Sequence, residues 1–258
     1  MSTATVGARR FWATSSRIEK EIFWSGYTWD AIRTATEASL KRLGIPSIHL
    51  TQLHCVPEAV LRNGEIFDWL RRLKEQGKIQ EFGASVETIE EARICLEQPG
   101  LTSLQLIYNI LRQRPEQEIF PIALEKGVAI IVRLPLADGL LGGHLAGPPP
   151  APSGYTGSPA PVLHPSNDVI TFCGLPLDRG LQLVGKLQTM VPHGIPQMAL
   201  RYVLAQQAVS VVIPGSSKPV HATSNAQASD MPPLSPALHE QLRLFYANDV
   251  APFIRGAY

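Results

Sequence analysis

An α/β fold of parallel strands joined by helices is the class this sequence predicts, and three observations carry it. Six short apolar runs each lead into a segment of helical periodicity, the first five start 37, 32, 24 and 25 residues apart, and the chain is 258 residues long. Strand–helix alternation demands parallel strands with helical crossovers, because a parallel neighbour cannot be reached through a tight turn. Spacings of that size fit the unit. The length suits one domain over 1–258, with enough chain to bury a substantial core.

The first strand is expected in RFWAT from Arg10. In TWDAIRTATEASLKRLG, Thr28 is placed to cap a helix, Ile32, Leu40 and Leu43 share a stripe, and Gly44 suits the left-handed C-terminal position. SIHLTQL from Ser47 is the second strand. EIFDWLRRLKEQGK then spaces Ile66, Leu70 and Leu73 along one helical face and stops at Gly77. IQEFGA from Ile79 is the third strand, followed by a shorter helix near 88–96, and SLQLIY from Ser103 is the fourth. Pro115 opens a helix running to Gly127, with Pro121 as its weak point, since an interior proline loses a backbone hydrogen bond. VAIIVRL from Val128 and VSVVIP from Val209 complete the set. The 81 residues between those two starts hold a long loop, 136–176, centred on GPPPAPSGYTGSPAPVLHP. Proline, glycine and serine at that density block regular structure, and such a loop reads as a lid with a mobile tip. Helices near 177–190 and 196–205 follow it, and a C-terminal helix and tail occupy 235–258.

Composition narrows the function. The 23 basic residues nearly cancel 22 acidic ones, which leaves no strong field for phosphate backbones or anionic lipid, so neither nucleic acid nor membrane is an expected partner. The most apolar segment, GVAIIVRLPLADGLLGG, is interrupted by Arg133 and Asp138 within the ~20 residues a membrane span requires. The first residues carry arginines but no apolar h-region, so a cytoplasmic location is expected. Cys55, Cys95 and Cys173 lack metal or redox spacing and read as reduced, buried small hydrophobes. His54 beside Cys55 has no third ligand at usable spacing, and no metal is expected.

Five motifs then fall in register: ASLKRLG…LTQLH, LKEQGKIQEFGAS, LQLIYNILRQRPEQ, RLPLADGLLGG and VIPGSSKP…N. Over 10–258 the chain resembles the aldo-keto reductase family, and more narrowly a bacterial branch with QLHC, GVSV and RVPL-type signatures. The resemblance implies a TIM-type parallel β/α barrel with its site where the strands end. Six of the eight strand–helix units are matched, and the first two are absent from the 258 residues. It also implies a reaction: hydride passes from NADPH to a carbonyl that a histidine orients. A tyrosine supplies the proton, with its pKa lowered by a lysine paired to an aspartate.

His54 matches the orienting histidine. Ser15 stands in the lysine position, and the aspartate and tyrosine belong to the two unmatched units. For the cofactor, NADP by resemblance, Ser85 and Gln105 match the positions that bond the nicotinamide carboxamide. Arg133 stands where many members stack a tyrosine on the ring and this branch uses arginine. Gly215, Ser217, Lys218 and Asn225 match the loop that takes the adenine-phosphate end, Ser217 replacing an arginine.

Plainer readings stand beside these. A strand-end histidine can make a structural hydrogen bond, Gln105 can be a satisfied core amide, Arg133 can pair with a carboxylate at the rim, and Lys218 can be solvated. Tyr27, Glu19 and Lys20 are the candidates to replace the missing acid and its partners. The expected function is an aldo-keto reductase-like protein, related to NADP-dependent reduction of small carbonyls and catalytically impaired as written. The alternatives are a non-catalytic binding or assembly module, and a non-redox enzyme using His54 as acid or base. An unclosed barrel would leave RFWAT and VSVVIP as open edges, which favours self-association. A start upstream, a second chain in the gap, or a contracted barrel would each resolve that.

Overall fold

The computed structural model describes residues 27–142, 171, 173–191, 194–216 and 218–255. Their order is α1 (Trp29–Leu43), β1 (Ile48–His54), α2 (Glu58–Asn63), α3 (Glu65–Glu75), β2 (Ile79–Ser85), α4 (Ile89–Leu96) and β3 (Leu101–Ile107). After these come α5 (Pro115–Glu118), α6 (Phe120–Glu125), β4 (Ala129–Arg133), α7 (Leu177–Met190), α8 (Ile195–Leu204), β5 (Val209–Ile213), α9 (Pro219–Gln227) and α10 (Pro236–Phe245). The five strands form one parallel sheet in sequence order, β1-β2-β3-β4-β5. This is the parallel β/α architecture expected, unclosed among the described residues. The strand expected from Arg10, together with Ser15, Glu19, Lys20, Ser217 and the centre of the 136–176 loop, lies outside them.

Two irregularities bend the sheet. Phe82 pairs with Leu101 but Gly83 with Ser103, which leaves Thr102 as an extra residue in β3. Ile130 pairs with Val209 but Ile131 with Val211, which does the same to Ser210 in β5. Extra residues of this kind increase local twist and curl a sheet toward closure. The Thr102 hydroxyl satisfies the first by donating to the Phe82 carbonyl at 3.0 Å.

Alternation along the strands separates two faces. Leu53, Phe82, Leu104 and Ile130 meet Ile66, Phe67, Leu70 and Leu73 of α3 in one apolar cluster. The other face carries Gln52, His54, Gly83, Ser85, Ser103, Gln105 and Arg133, and it is where the chemistry collects.

The helices follow their signals with three departures. Thr28 caps α1 by accepting the Ala31 N–H at 3.3 Å, and Gly44 takes φ 65° as expected. The buried side of α1, however, is Ile32, Ala35, Thr36 and Ser39, and Leu43 is 44% exposed. Small residues let the helix lie close, and the Thr36 and Ser39 hydroxyls tolerate burial by donating to the Ile32 and Ala35 carbonyls at 2.8 and 2.9 Å. The helix expected from Pro115 to Gly127 is broken at Ile119 into α5 and α6. Pro121 thereby falls in the first turn of α6, where its missing N–H costs nothing. The short α2 carried no periodicity signal; Gly64, at φ 82°, ends it and opens α3. In α4, Thr88 and Glu91 form a reciprocal capping box.

Behind β3, the Tyr108 and Tyr202 hydroxyls both donate to the Glu116 carboxylate, at 2.8 and 3.2 Å, and their rings stack at 5.8 Å. Burial raises both hydroxyl pKa values above the ordinary tyrosine range, helped for Tyr108 by Tyr202 and then Glu116, and for Tyr202 by Glu116. A group whose folded pKa lies above its unfolded value, about 10 for tyrosine, stabilises fully below that value and loses its contribution as pH rises toward the folded one. We therefore expect stability to fall above about pH 10. Ultraviolet titration should show two of the six tyrosines ionising together with unfolding rather than before it.

Candidate functional site

Each strand delivers its last residues to one edge of the sheet. His54 ends β1 half-buried and pairs in register with Ser85, which ends β2 and pairs with Gln105 of β3. The backbone turns immediately after His54: Cys55 adopts φ 48° and donates its N–H to the Ser85 carbonyl at 2.9 Å. Val86 likewise donates to the Gln105 carbonyl at 2.9 Å, so the exits of β1 and β2 are pinned to the next strand. His54, Ser85 and Gln105 thus form a row across three strands.

Below that row lies a polar network that the motifs did not reveal. Ser85 Oγ donates to Gln105 Oε1 at 3.4 Å, Gln105 Nε2 donates to Gln52 Oε1 at 2.7 Å, and Gln52 Nε2 donates to Ser103 Oγ at 3.2 Å. Gln52 sits on β1 and Ser103 on β3, so the side chain crosses β2, at Gly83. The strands are tight there: a Cβ on Gly83 would stand 2.1 Å from Ser103 Oγ. Gln52, Gly83 and Ser103 each precede a motif residue by two positions, the same-face interval in a strand. That interval is the signal that could have found them.

Arg133 ends β4, its side chain 14% exposed. Its guanidinium donates to the Val86 carbonyl at 3.3 Å and pairs with Glu87 at 3.2 Å, while its buried Nε has no partner among the described residues. The rim carboxylate considered for Arg133 is therefore Glu87, which sequence reasoning did not single out. Arg112, itself buried, donates to the Glu87 carbonyl at 3.1 Å and helps fix that turn.

The second group follows β5. Arg133 pairs with Ile213, and two residues later comes Gly215, where an added Cβ would meet nothing within 4 Å. Neither packing nor a left-handed φ requires glycine there. Lys218 is exposed at the N-cap of α9, its carbonyl accepting from Ser216 Oγ at 2.9 Å, and Asn225 is half-buried near the end of α9.

The cysteines divide. Cys95 and Cys173 are buried as expected, but Cys55 is exposed at the rim, because the turn after β1 directs it away from the core. Desolvation and then Glu87 push its thiol pKa up, against a smaller lowering by Arg133. Burial and then Cys55 raise that of Tyr27, which packs against the apolar core. A bulky maleimide should modify one thiol in the native protein, more slowly than a free cysteine, and all three after denaturation.

The Aldo/keto reductase family model matches residues 16–246. This chain belongs to the aldo/keto reductase family. Among relatives, the NADH-specific methylglyoxal reductase of Escherichia coli is 28% identical over 201 residues, which cover 77% of this chain and 59% of that protein. Pyridoxal 4-dehydrogenase of Microbacterium luteolum is 24% identical over 219 residues, covering 80% of this chain and 58% of that one. Among solved structures, the holo form of aldo-keto reductase AKR11C1 from Bacillus halodurans superposes with a TM-score of 0.67 at 27% identity, over 86% of this chain and 69% of that chain. The chain thus spans less than two thirds of the length of these curated relatives. The aldo/keto reductase likeness agrees with the parallel sheet. No described helix is long and apolar enough to cross a membrane.

Proposed function

We propose that this aldo/keto reductase chain holds a nicotinamide dinucleotide across the carboxyl edge of its sheet, as part of carbonyl reduction. We further propose that turnover by these 258 residues is strongly reduced. One observation carries the first part: His54, Ser85, Gln105 and Arg133, separated by up to 79 residues in sequence, come to one face near the carboxyl ends of four adjacent strands. The donor set suits a carboxamide, since a hydroxyl beside an amide offers both an acceptor and a donor. The open space over Gly215 suits close approach of a phosphate-bearing group to backbone. When bound, the dinucleotide supplies the hydride. His54 would orient the carbonyl, Ser85 and Gln105 the carboxamide, and Arg133 would face the ring, with Gly215, Ser217, Lys218 and Asn225 at the adenosine end.

The reduced turnover rests on residue identity. Ser15 stands in place of the lysine that lowers the tyrosine pKa, and a neutral hydroxyl cannot do what an ammonium does. The 258 residues contain no motif match for the aspartate or the tyrosine. Losing a general acid costs about 10²–10⁴-fold in rate. NADPH is the cofactor the family resemblance implies. The uncharged Ser217 and the NADH specificity in the Escherichia coli relative's name make NADH its direct competitor.

Titrating the protein with NADPH and NADH, following cofactor fluorescence, and then adding methylglyoxal and a panel of other small aldehydes tests both parts. Saturable binding with turnover lowered by at least a hundredfold from a complete reductase is expected. Absence of binding by either dinucleotide would overturn the reading. His54→Ala should abolish whatever turnover remains.

A further inference from the structure

We propose that the C-terminal tail is a conformational latch: residues 249–255 hold the 171–175 turn in place, and through Cys173 and Asn109 that turn holds the strained segment that follows Arg133. Residues 171–175 close on themselves, the Thr171 N–H donating to the Leu175 carbonyl at 2.9 Å and the Gly174 N–H to the Thr171 carbonyl at 2.8 Å. The tail grips this turn by its backbone. The Arg255 N–H donates to the Gly174 carbonyl at 2.7 Å, and a Cβ on Gly174 would stand 2.7 Å from the Arg255 carbonyl oxygen, so only glycine allows the approach. Further contacts fasten the tail to α7. Arg179 donates to the Asp249 carbonyl at 3.3 Å, its guanidinium lies 4.0 Å from the centre of the Phe253 ring, and Lys186 pairs with Asp249 at 2.6 Å.

What the latch holds is strained. Leu134, Ala137 and Asp138 adopt φ 51°, 50° and 56°, so three non-glycine residues fall in the left-handed region within one short segment. Such residues are unfavourable and persist only where their surroundings over-determine them. Asn109 supplies part of that restraint: its Nδ2 donates to the Leu134 carbonyl at 2.9 Å and to Cys173 Sγ at 3.5 Å, while its Oδ1 accepts the Leu111 N–H at 2.9 Å. Cys173 is buried, and that burial followed by Asp138 pushes its thiol pKa up to about 12. A contact path therefore runs from the tail to Gly174, on to Cys173 and Asn109, and ends at Leu134, the residue after Arg133. Release of the tail removes a restraint at the start of that path and lets the left-handed residues relax, a local opening below the level of global unfolding.

Arg255→Pro tests this on the full chain. It deletes the N–H given to Gly174, while Ile254, at φ -69° and ψ 126°, already has the extended conformation that a following proline requires. Arg255→Ala keeps the N–H and is the control. Maleimide labelling mapped by mass spectrometry follows each thiol separately. Cys95, also buried and with its thiol likewise pushed up to about 12 by desolvation and then Glu91, reports global unfolding. Cys173 should label about tenfold faster in Arg255→Pro than in Arg255→Ala, the effect of one lost backbone hydrogen bond on a local opening equilibrium, while Cys95 stays protected. Hydrogen exchange over residues 134–142 should rise in the same variant. Cys173 labelling no faster than in Arg255→Ala overturns the inference. So does labelling of Cys173 and Cys95 together, and so does exposure of Cys173 with exchange over 134–142 unchanged. Should Arg255→Pro not fold, Arg179→Ala frees the tail from α7 instead and must give the same pattern against wild-type protein.

Discussion

Replacing Gly83 with alanine is expected to destabilise the protein by about 3 kcal/mol or more, at the upper end of what an added methyl costs in a packed interior. The new Cβ would stand 2.1 Å from Ser103 Oγ and 2.4 Å from the Ser103 carbonyl oxygen. The first clash can be relieved by a rotamer change or by Ser103→Ala. The second cannot, because that oxygen belongs to the backbone of β3, where the Thr102 irregularity already determines its path. The Gly83→Ala/Ser103→Ala double variant should therefore remain close to the single variant in urea denaturation, and full recovery would show that the strands can separate at little cost. Gly185, exposed in α7 with nothing within 4 Å of its Cβ position, is the control with the opposite sign. Gly185→Ala should stabilise by up to about 1 kcal/mol through helix propensity and a less flexible unfolded chain.

Glu116→Leu should be comparably severe, at about 3–5 kcal/mol. Its carboxylate is the shared acceptor for Tyr108 and Tyr202, which are 0% and 1% exposed, so losing it leaves two hydroxyls buried without that acceptor. Each orphaned group costs about 1–3 kcal/mol, whereas removing donors and acceptor together is nearly neutral. The triple variant Tyr108→Phe/Tyr202→Phe/Glu116→Leu is accordingly expected to recover most of the loss. Thermal or urea unfolding of the four proteins measures this. Equal loss in the triple variant would mean that Glu116 acts through Arg243, whose pKa it helps to raise, rather than through the tyrosines.

Much of the architecture was legible from local pattern. The β1 to β5 runs, the capping of α1 by Thr28, the buried stripe of α3 and the short helix α4 near 88–96 all rest on spacings within one element, and the structure keeps them. What failed locally failed for tertiary reasons. Leu43 fits an apolar stripe, yet the small residues of α1 let the helix rotate onto Ala35 and Ser39. Pro121 reads as interior to one long helix, whereas the break at Ile119 makes it a first-turn proline. Cys55 has the composition of a core residue, but a left-handed turn puts it at the rim.

The candidate site divides along the same line. His54, Ser85 and Arg133 fall at or near strand exits in the sequence, because strand length and polarity are short-range properties, while Gln105 lies inside its run and, with Ser85 and Arg133, is marked as a site residue by the family resemblance. Their partners could not be read this way: Gln52 reaching over Gly83 to Ser103, and Glu87 meeting Arg133, join residues 46 to 51 positions apart. Those pairings depend on which residues stand opposite one another once the sheet has bent at Thr102 and Ser210. Register between strands is a property of the assembled sheet, so the sequence by itself determined which residues lie near the carboxyl edge, and the tertiary structure alone decided which partners they meet there.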